Sequence, residues 1–153
     1  MFQILIVVAI VILDRVTKYY AITYLKDIGS IEIVKGIFSL TYVENRGAAF
    51  GILQNQRWFF IILTIIISIG IVYYIFTQSN VDSLLRISLS MILGGAIGNL
   101  IDRIKFGYVV DMLHFTLIDF PVFNIADCFV VTGTILLAIY TLFIADKPMK
   151  EVI

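Results

Sequence analysis

Residues 58–76 read WFFIILTIIISIGIVYYIF, a run without a single charged side chain. A helix rising 1.5 Å per residue needs about 20 apolar residues to cross a hydrocarbon core of about 30 Å, and this run has that length. Trp58, Phe59 and Phe60 stand at one end, with Tyr73, Tyr74 and Phe76 at the other. Amphipathic rings favour the two membrane–water boundaries. The stretch therefore predicts a transmembrane helix.

Three further segments have the same character: about Phe2–Leu25, about Leu84–Ile104 and about Phe123–Ala145. Of the 153 residues, 61% are hydrophobic and 14% charged, and the mean hydropathy is +1.04. An ordinary soluble domain is about 45–50% apolar and about 25% charged. The predicted class is an all-α integral membrane protein. Its four transmembrane helices, about 2–25, 58–76, 84–104 and 123–145, form one domain over 1–153. Met1–Phe2–Gln3 carries no basic side chain, and no small-residue cleavage site follows ILIVVAIVIL. The first helix is therefore expected to be permanent rather than a cleaved leader.

The links differ from one another. Lys26–Arg57 is long for a membrane loop, and its SIEIVKGIFSLTYVE alternates apolar and polar residues. That pattern predicts short β-strands. They should lie at the membrane surface, because an open sheet edge cannot face lipid. The link KFGYVVDMLHFTLIDFP is expected to be amphipathic and interfacial, with Pro121 breaking the chain before the last helix. Basic and acidic residues balance at 11 each, without the basic block that a nucleic-acid partner requires. One cysteine, Cys128, and one histidine, His114, exclude an internal disulfide and leave no ligand cluster for a metal. No metal and no other cofactor is expected.

Ionisable groups inside membrane segments mark function by default. On the first helix Asp14, Thr17 and Lys18 share a face; the lesser alternative is a local Asp14–Lys18 pair with a snorkelling lysine. On the third, GGAIGNLIDR aligns Asn99, Asp102 and Arg103. Gly94 and Gly98 form a small-xxx-small pair suited to close packing, and Asp102–Arg103 also reads as an interfacial pair closing the helix. On the fourth, Asn124 and Asp127 lie one turn apart, and Asp111 precedes them in an apolar setting. Two facing carboxylates cannot both ionise, so one takes a proton from water while the other polarises a carbonyl. The same groups serve a proton-relaying transporter, or a packing factor held by its glycines. In ENRGAAFGIL, Gly47 and Gly51 permit a tight turn, as an ordinary loop also would. A Cys128–His114 thiol centre lacks a visible activating arrangement.

In order along the chain, DRVTK (14–18), NRGAAFG (45–51), GGAIGNLIDR (94–103), VVDML (109–113) and FNIADCFV (123–130) resemble the motif blocks of the bacterial lipoprotein signal peptidases, the signal peptidase II family. The resemblance covers nearly the whole chain. It implies a membrane aspartic endopeptidase that removes signal peptides from diacylglyceryl-modified prolipoproteins, cutting before the lipidated cysteine. By position, Asp111 and Asp127 match the catalytic pair. Asn45, Asn99, Arg103 and Asn124 match the surrounding polar residues, and Asp14 matches the aspartate of the first block. Cys128 stands where a small hydroxyl residue is common.

The resemblance further implies a multi-pass protein of the bacterial plasma (inner) membrane with both termini cytoplasmic; a monomer among membrane lipids is expected, although the sequence does not fix the oligomeric state. It places the site near the outer leaflet and the β-patterned link in an extracytoplasmic β-cradle between helices 1 and 2. The literal charge count points the other way. The long links and their helix ends carry Arg15, Lys18, Lys26, Lys35, Arg46, Arg57, Arg103 and Lys105, against Arg86, Lys147 and Lys150 opposite. Several of the former belong to the motif blocks, where function rather than topology would retain them.

Overall fold

The structure, a computed structural model, describes residues 2–48, 52–78, 81–118 and 120–145. Among them the element order is α1 (Phe2–Tyr20), β1 (Ser30–Val34), β2 (Phe38–Asn45), α2 (Arg57–Thr77), α3 (Ser83–Lys105), β3 (Val109–Phe115) and α4 (Ile125–Phe143). A π-helical turn, Ala21–Leu25, extends α1. Helices α2, α3 and α4 are long and apolar enough to cross a membrane. The outward side chains of α2 include Ile62, Ile66, Ile69 and Phe76, all exposed. A helix apolar on its outer face suits lipid rather than water as the neighbouring solvent.

Helix α3 packs against the other three helices, and small residues make this possible. A Cβ on Gly98 would stand 2.7 Å from Asp14 Oδ2, and one on Gly95 would run into the Ala126 carbonyl of α4. Gly94 abuts Ile10 of α1 in the same way. The Gly94/Gly98 pair thus lets α1 approach, as small-residue spacing allows.

The sheet is antiparallel with strand order β1-β2-β3. Its first two strands come from the alternating link. The third corrects the reading of residues 105–121 as merely amphipathic and interfacial. Val109, Val110 and Met112 are all buried, so the period-2 alternation that betrays a half-exposed strand is missing. Val110 and Met112 pack on Ala21 and Leu25, which seats the sheet on the end of α1. Side chains alternate across a strand, so Asp111 points away from that small core.

After β3 the chain doubles back. Phe123 and Leu113 exchange backbone hydrogen bonds at 3.0 and 2.8 Å. This bridge delivers Asn124 beside Asp111 just as α4 begins. Asn124 caps α4: its side chain accepts the Asp127 N–H at 2.9 Å, and the Asp127 carboxylate accepts the Asn124 N–H at 3.2 Å. This reciprocal capping box starts the helix at Ile125, two residues later than the hydropathy implied.

Candidate active site

Five of the seven candidate residues form one hydrogen-bonded chain across two strands and two helices. Asp111 Oδ2 accepts Asn45 Nδ2 at 2.9 Å, and its Oδ1 accepts Asn124 Nδ2 at 2.6 Å. The second amide hydrogen of Asn124 goes to Asn99 Oδ1 at 3.2 Å. Asn99 Nδ2 in turn donates to Asp127 Oδ1 at 2.7 Å. Asn124 is fully buried with every side-chain donor and acceptor used. An asparagine in a β-extended cap position thereby links the strand carboxylate to the helix carboxylate.

Asn45, Asn99, Arg103, Asp111, Asp127 and Cys128 line a cavity of about 870 Å³, walled on one side by Phe115 and Pro121–Phe123. That volume falls in the usual range for a ligand-binding cleft. Arg103 Nη2 donates to the Gly47 carbonyl at 3.2 Å, and its guanidinium lies 4.7 Å from the Phe60 ring centroid. It therefore ties the first link to α3 while facing both carboxylates. Gly47 N donates to Asn45 Oδ1 at 2.9 Å, which aims the Asn45 amide at Asp111. Ala49, Phe50 and Gly51 of the same motif lie outside the described residues.

Asp111 lies on β3, 1% exposed. Burial, and next the neighbouring charge of Asp127, push its carboxyl up to about 7, against the pull of the Asn45 and Asn124 hydrogen bonds. Near neutral pH this group exists in both protonation states. A carboxyl that can be protonated and a second carboxylate in one cavity can supply an acid and a base.

Asp14 occupies a different place. It does not line the cavity; it lies behind it, where its Oδ1 accepts the Ala126 N–H at 3.2 Å. Around it is a group of charges that the sequence had not assembled. Arg15 reaches Asp14 Oδ2 and Asp102 Oδ1, each at 2.6 Å. Lys18 Nζ lies 3.1 Å from Asp14 Oδ2 and 2.9 Å from Asp102 Oδ2. Lys18 is therefore 1% exposed and buried among acids, not snorkelling. Asp102 does not close the helix with Arg103; it turns to α1 and also accepts the Val110 N–H at 3.1 Å. Thr17 takes no part, bonding back to the carbonyls of Leu13 and Asp14.

His114 lies an odd number of residues from Asp111 along the strand, so it faces the other side of the sheet. Its Nδ1 is 3.4 Å from Thr41 Oγ1. The Cys128–His114 thiol centre is thus not assembled. Among the described residues no group of three or more His, Cys, Asp or Glu side chains is placed to hold a metal ion.

Membrane-crossing helices, a small sheet and a two-carboxylate centre where they meet define an integral membrane protein with a buried polar site. The family model described as signal peptidase (SPase) II matches residues 6–143. The chain is 52% identical over 141 residues to a lipoprotein signal peptidase of Caldanaerobacter subterraneus subsp. tengcongensis, covering 92% of this chain and 95% of the relative. It is 46% identical over 147 residues to that of Clostridioides difficile, covering 96% and 99%. A solved bacterial membrane enzyme, determined by the in meso method at 2.3 Å resolution, superposes with a TM-score of 0.89 at 41% identity, covering 99% of this chain and 94% of the other. The chain belongs to the signal peptidase II family.

Proposed function

We propose that this protein removes signal peptides from diacylglyceryl-modified prolipoproteins, cutting before the lipidated cysteine with Asp111 and Asp127 as an aspartic pair. The observation that carries this reading is the chain Asn45–Asp111–Asn124–Asn99–Asp127, which brings two carboxylates to one cavity. Asp127 sits in the first turn of α4, where the helix N-terminus favours an anion. Asp111 is the better proton holder.

The Asp127 carboxylate takes a proton from water, whose oxygen attacks the scissile carbonyl carbon. The proton of Asp111 passes to the carbonyl oxygen, giving a neutral tetrahedral diol. Asp127 then hands its proton to the amide nitrogen and the C–N bond breaks. A diol proton returns to Asp111. The products are a signal peptide with a new carboxyl group and a lipoprotein whose first residue is the lipidated cysteine. Arg103 and the amides of Asn45 and Asn99, which line the cavity, are donors for the substrate backbone.

In this reading α1 also crosses the membrane. Its exposed Phe2, Leu5, Ile12 and Val16 face lipid while its charged residues are turned inward. The enzyme is a monomer of the bacterial plasma membrane with both termini cytoplasmic. The sheet lies on the outer surface, and the site opens near the outer leaflet. Acyl chains of the substrate remain in lipid while the peptide enters from the side. No metal or other cofactor takes part. The decisive experiment incubates the purified protein with a diacylglyceryl-modified prolipoprotein. Release of an intact signal peptide supports the assignment; failure to release it from this substrate, by folded protein, overturns it.

A further inference from the structure

The Lys18 ammonium donates to Asn99 and forms ion pairs with Asp102 and Asp14, three neighbours that each stand one step from the proposed aspartic pair. Asp102 Oδ2, 2.9 Å away, also holds the N–H of Val110, the residue before Asp111. Asp14, 3.1 Å away, holds through its other oxygen the N–H of Ala126, the residue before Asp127. Asn99 Oδ1, 2.8 Å away, belongs to the amide that donates to Asp127 itself. An amide whose oxygen is held by a cation cannot flip without placing its NH2 group against the ammonium. Lys18 thereby fixes which end of Asn99 meets the carboxylate.

We propose that Lys18 is a positioning residue for the reaction, setting through Asp102, Asp14 and Asn99 the separation and orientation of Asp111 and Asp127. The inference rests on the aspartic-pair reading above. Lys18 does not line the cavity and makes no direct hydrogen bond to either carboxylate of the pair, so it positions them through these three neighbours while its charge is felt by both. The arrangement also explains why so many charges are buried together. Asp14, Arg15, Lys18 and Asp102 balance one another, and each acid spends an oxygen on a backbone N–H that the pair depends on. Among the described residues, the other charged or titratable groups that line the cavity with the pair are Glu44 on β2, Arg103 on α3 and Cys128 on α4.

The test compares Lys18→Met and Lys18→Arg with wild type in single-turnover cleavage and substrate binding across pH. Lys18→Arg keeps the charge but offers a planar fork in place of three tetrahedral donors. Displacing a reacting group by about 1 Å costs about 100-fold in rate, so Lys18→Met should lose about that factor at nearly unchanged substrate affinity. The acid limb of its pH–rate profile should also move to higher pH, because a cation facing both carboxylates has gone. Lys18→Arg should be slow as well, with a smaller displacement of the profile. Folded Lys18→Arg with the wild-type rate would overturn the proposal, as would folded Lys18→Met with the wild-type profile. If neither variant folds, amide exchange in the wild-type protein decides. Val110 and Ala126 should be strongly protected, and rapid exchange at either rejects the anchoring. Asp111→Asn and Asp127→Asn run in parallel separate the two ideas, since activity in those variants would instead sink the aspartic pair.

Discussion

Asn124 and Asp111, 13 residues apart, are joined by a 2.6 Å hydrogen bond from the Nδ2 of the first to the Oδ1 of the second. The same side chain caps α4 by accepting the Asp127 N–H. One residue therefore sets the start of a helix and the orientation of a strand carboxylate, two tasks that a substitution can separate.

Asn124→Ser retains a capping oxygen but is too short to keep both amide donations. We expect the altered cap to cost about 1 kcal/mol of stability and the lost buried hydrogen bonds about 1–3 kcal/mol more, against a fall of about 100-fold in cleavage from misplaced acid–base groups. Thermal unfolding in detergent and single-turnover assays measure the two separately. A fall in cleavage no larger than the unfolded fraction explains would mean that Asn124 is only a cap.

Asp111→Asn and Asp127→Asn each preserve shape but cannot ionise. General acid–base groups contribute about 100- to 10,000-fold each, and groups that act as a unit are strongly non-additive. Either single change should remove nearly all turnover, and the double variant should be hardly worse. Binding of the diacylglyceryl substrate should survive. Substantial cleavage by either folded variant would leave these residues structural.

The raised carboxyl of Asp111, at about 7, gives a signed pH dependence. Its folded value lies above the unfolded one, so the folded chain retains a proton that the unfolded chain releases. The associated stability is fully present below about pH 4 and is lost as pH rises through about 7. Cleavage that needs a protonated Asp111 should decline over the same upper range, as a macroscopic property of the pair. A rate constant flat from about pH 6 to about pH 9 would contradict the assignment of the proton.

Gly98→Ala should be costly although it adds one methyl. The new Cβ would stand 2.7 Å from Asp14 Oδ2 and 3.2 Å from the Ala126 Cβ. Overpacking of this kind costs about 1–3 kcal/mol. Both neighbours belong to the support behind the pair, so the melting temperature and the cleavage rate should fall together. A fully stable variant would show that α1 and α4 can move apart freely.

Cys128→Ser tests the thiol alternative. Cys128 lines the cavity beside Asp127, but His114 faces away from it, and serine occupies similar space. Cleavage should stay within about threefold of wild type, since the proposed chemistry makes no use of the half-buried sulfur and serine nearly conserves its volume. Loss of turnover in a folded variant would bring back a role for the sulfur.

The membrane character was legible because hydropathy acts residue by residue: Trp58–Phe76 needs no partner to be recognised. The close packing at Gly94 and Gly98 was readable from their spacing within one helix, whereas the cap at Asn124 was passed over because hydropathy alone starts the last helix at Phe123. Strand β3 was hidden because burial of Val109, Val110 and Met112 erased its alternation. For Lys18 the snorkelling alternative stayed open because Asp14, one turn away, was its only visible partner. Asp102 and Asn99, which bury it, lie more than eighty residues along the chain from it. Pairing at that distance leaves no spacing signal in one sequence. The placement of Asn45 came from resemblance to family motifs, since an asparagine before Arg46 and Gly47 reads locally as an ordinary turn.

The two carboxylates are carried by different kinds of element, Asp111 on a strand of the surface sheet and Asp127 on a helix. In the proposed reading the pair is therefore complete only where strand and helix are drawn together, by the Leu113–Phe123 backbone bridge one residue before the α4 cap. A fragment that lacks either element would carry one carboxylate without its acid–base counterpart.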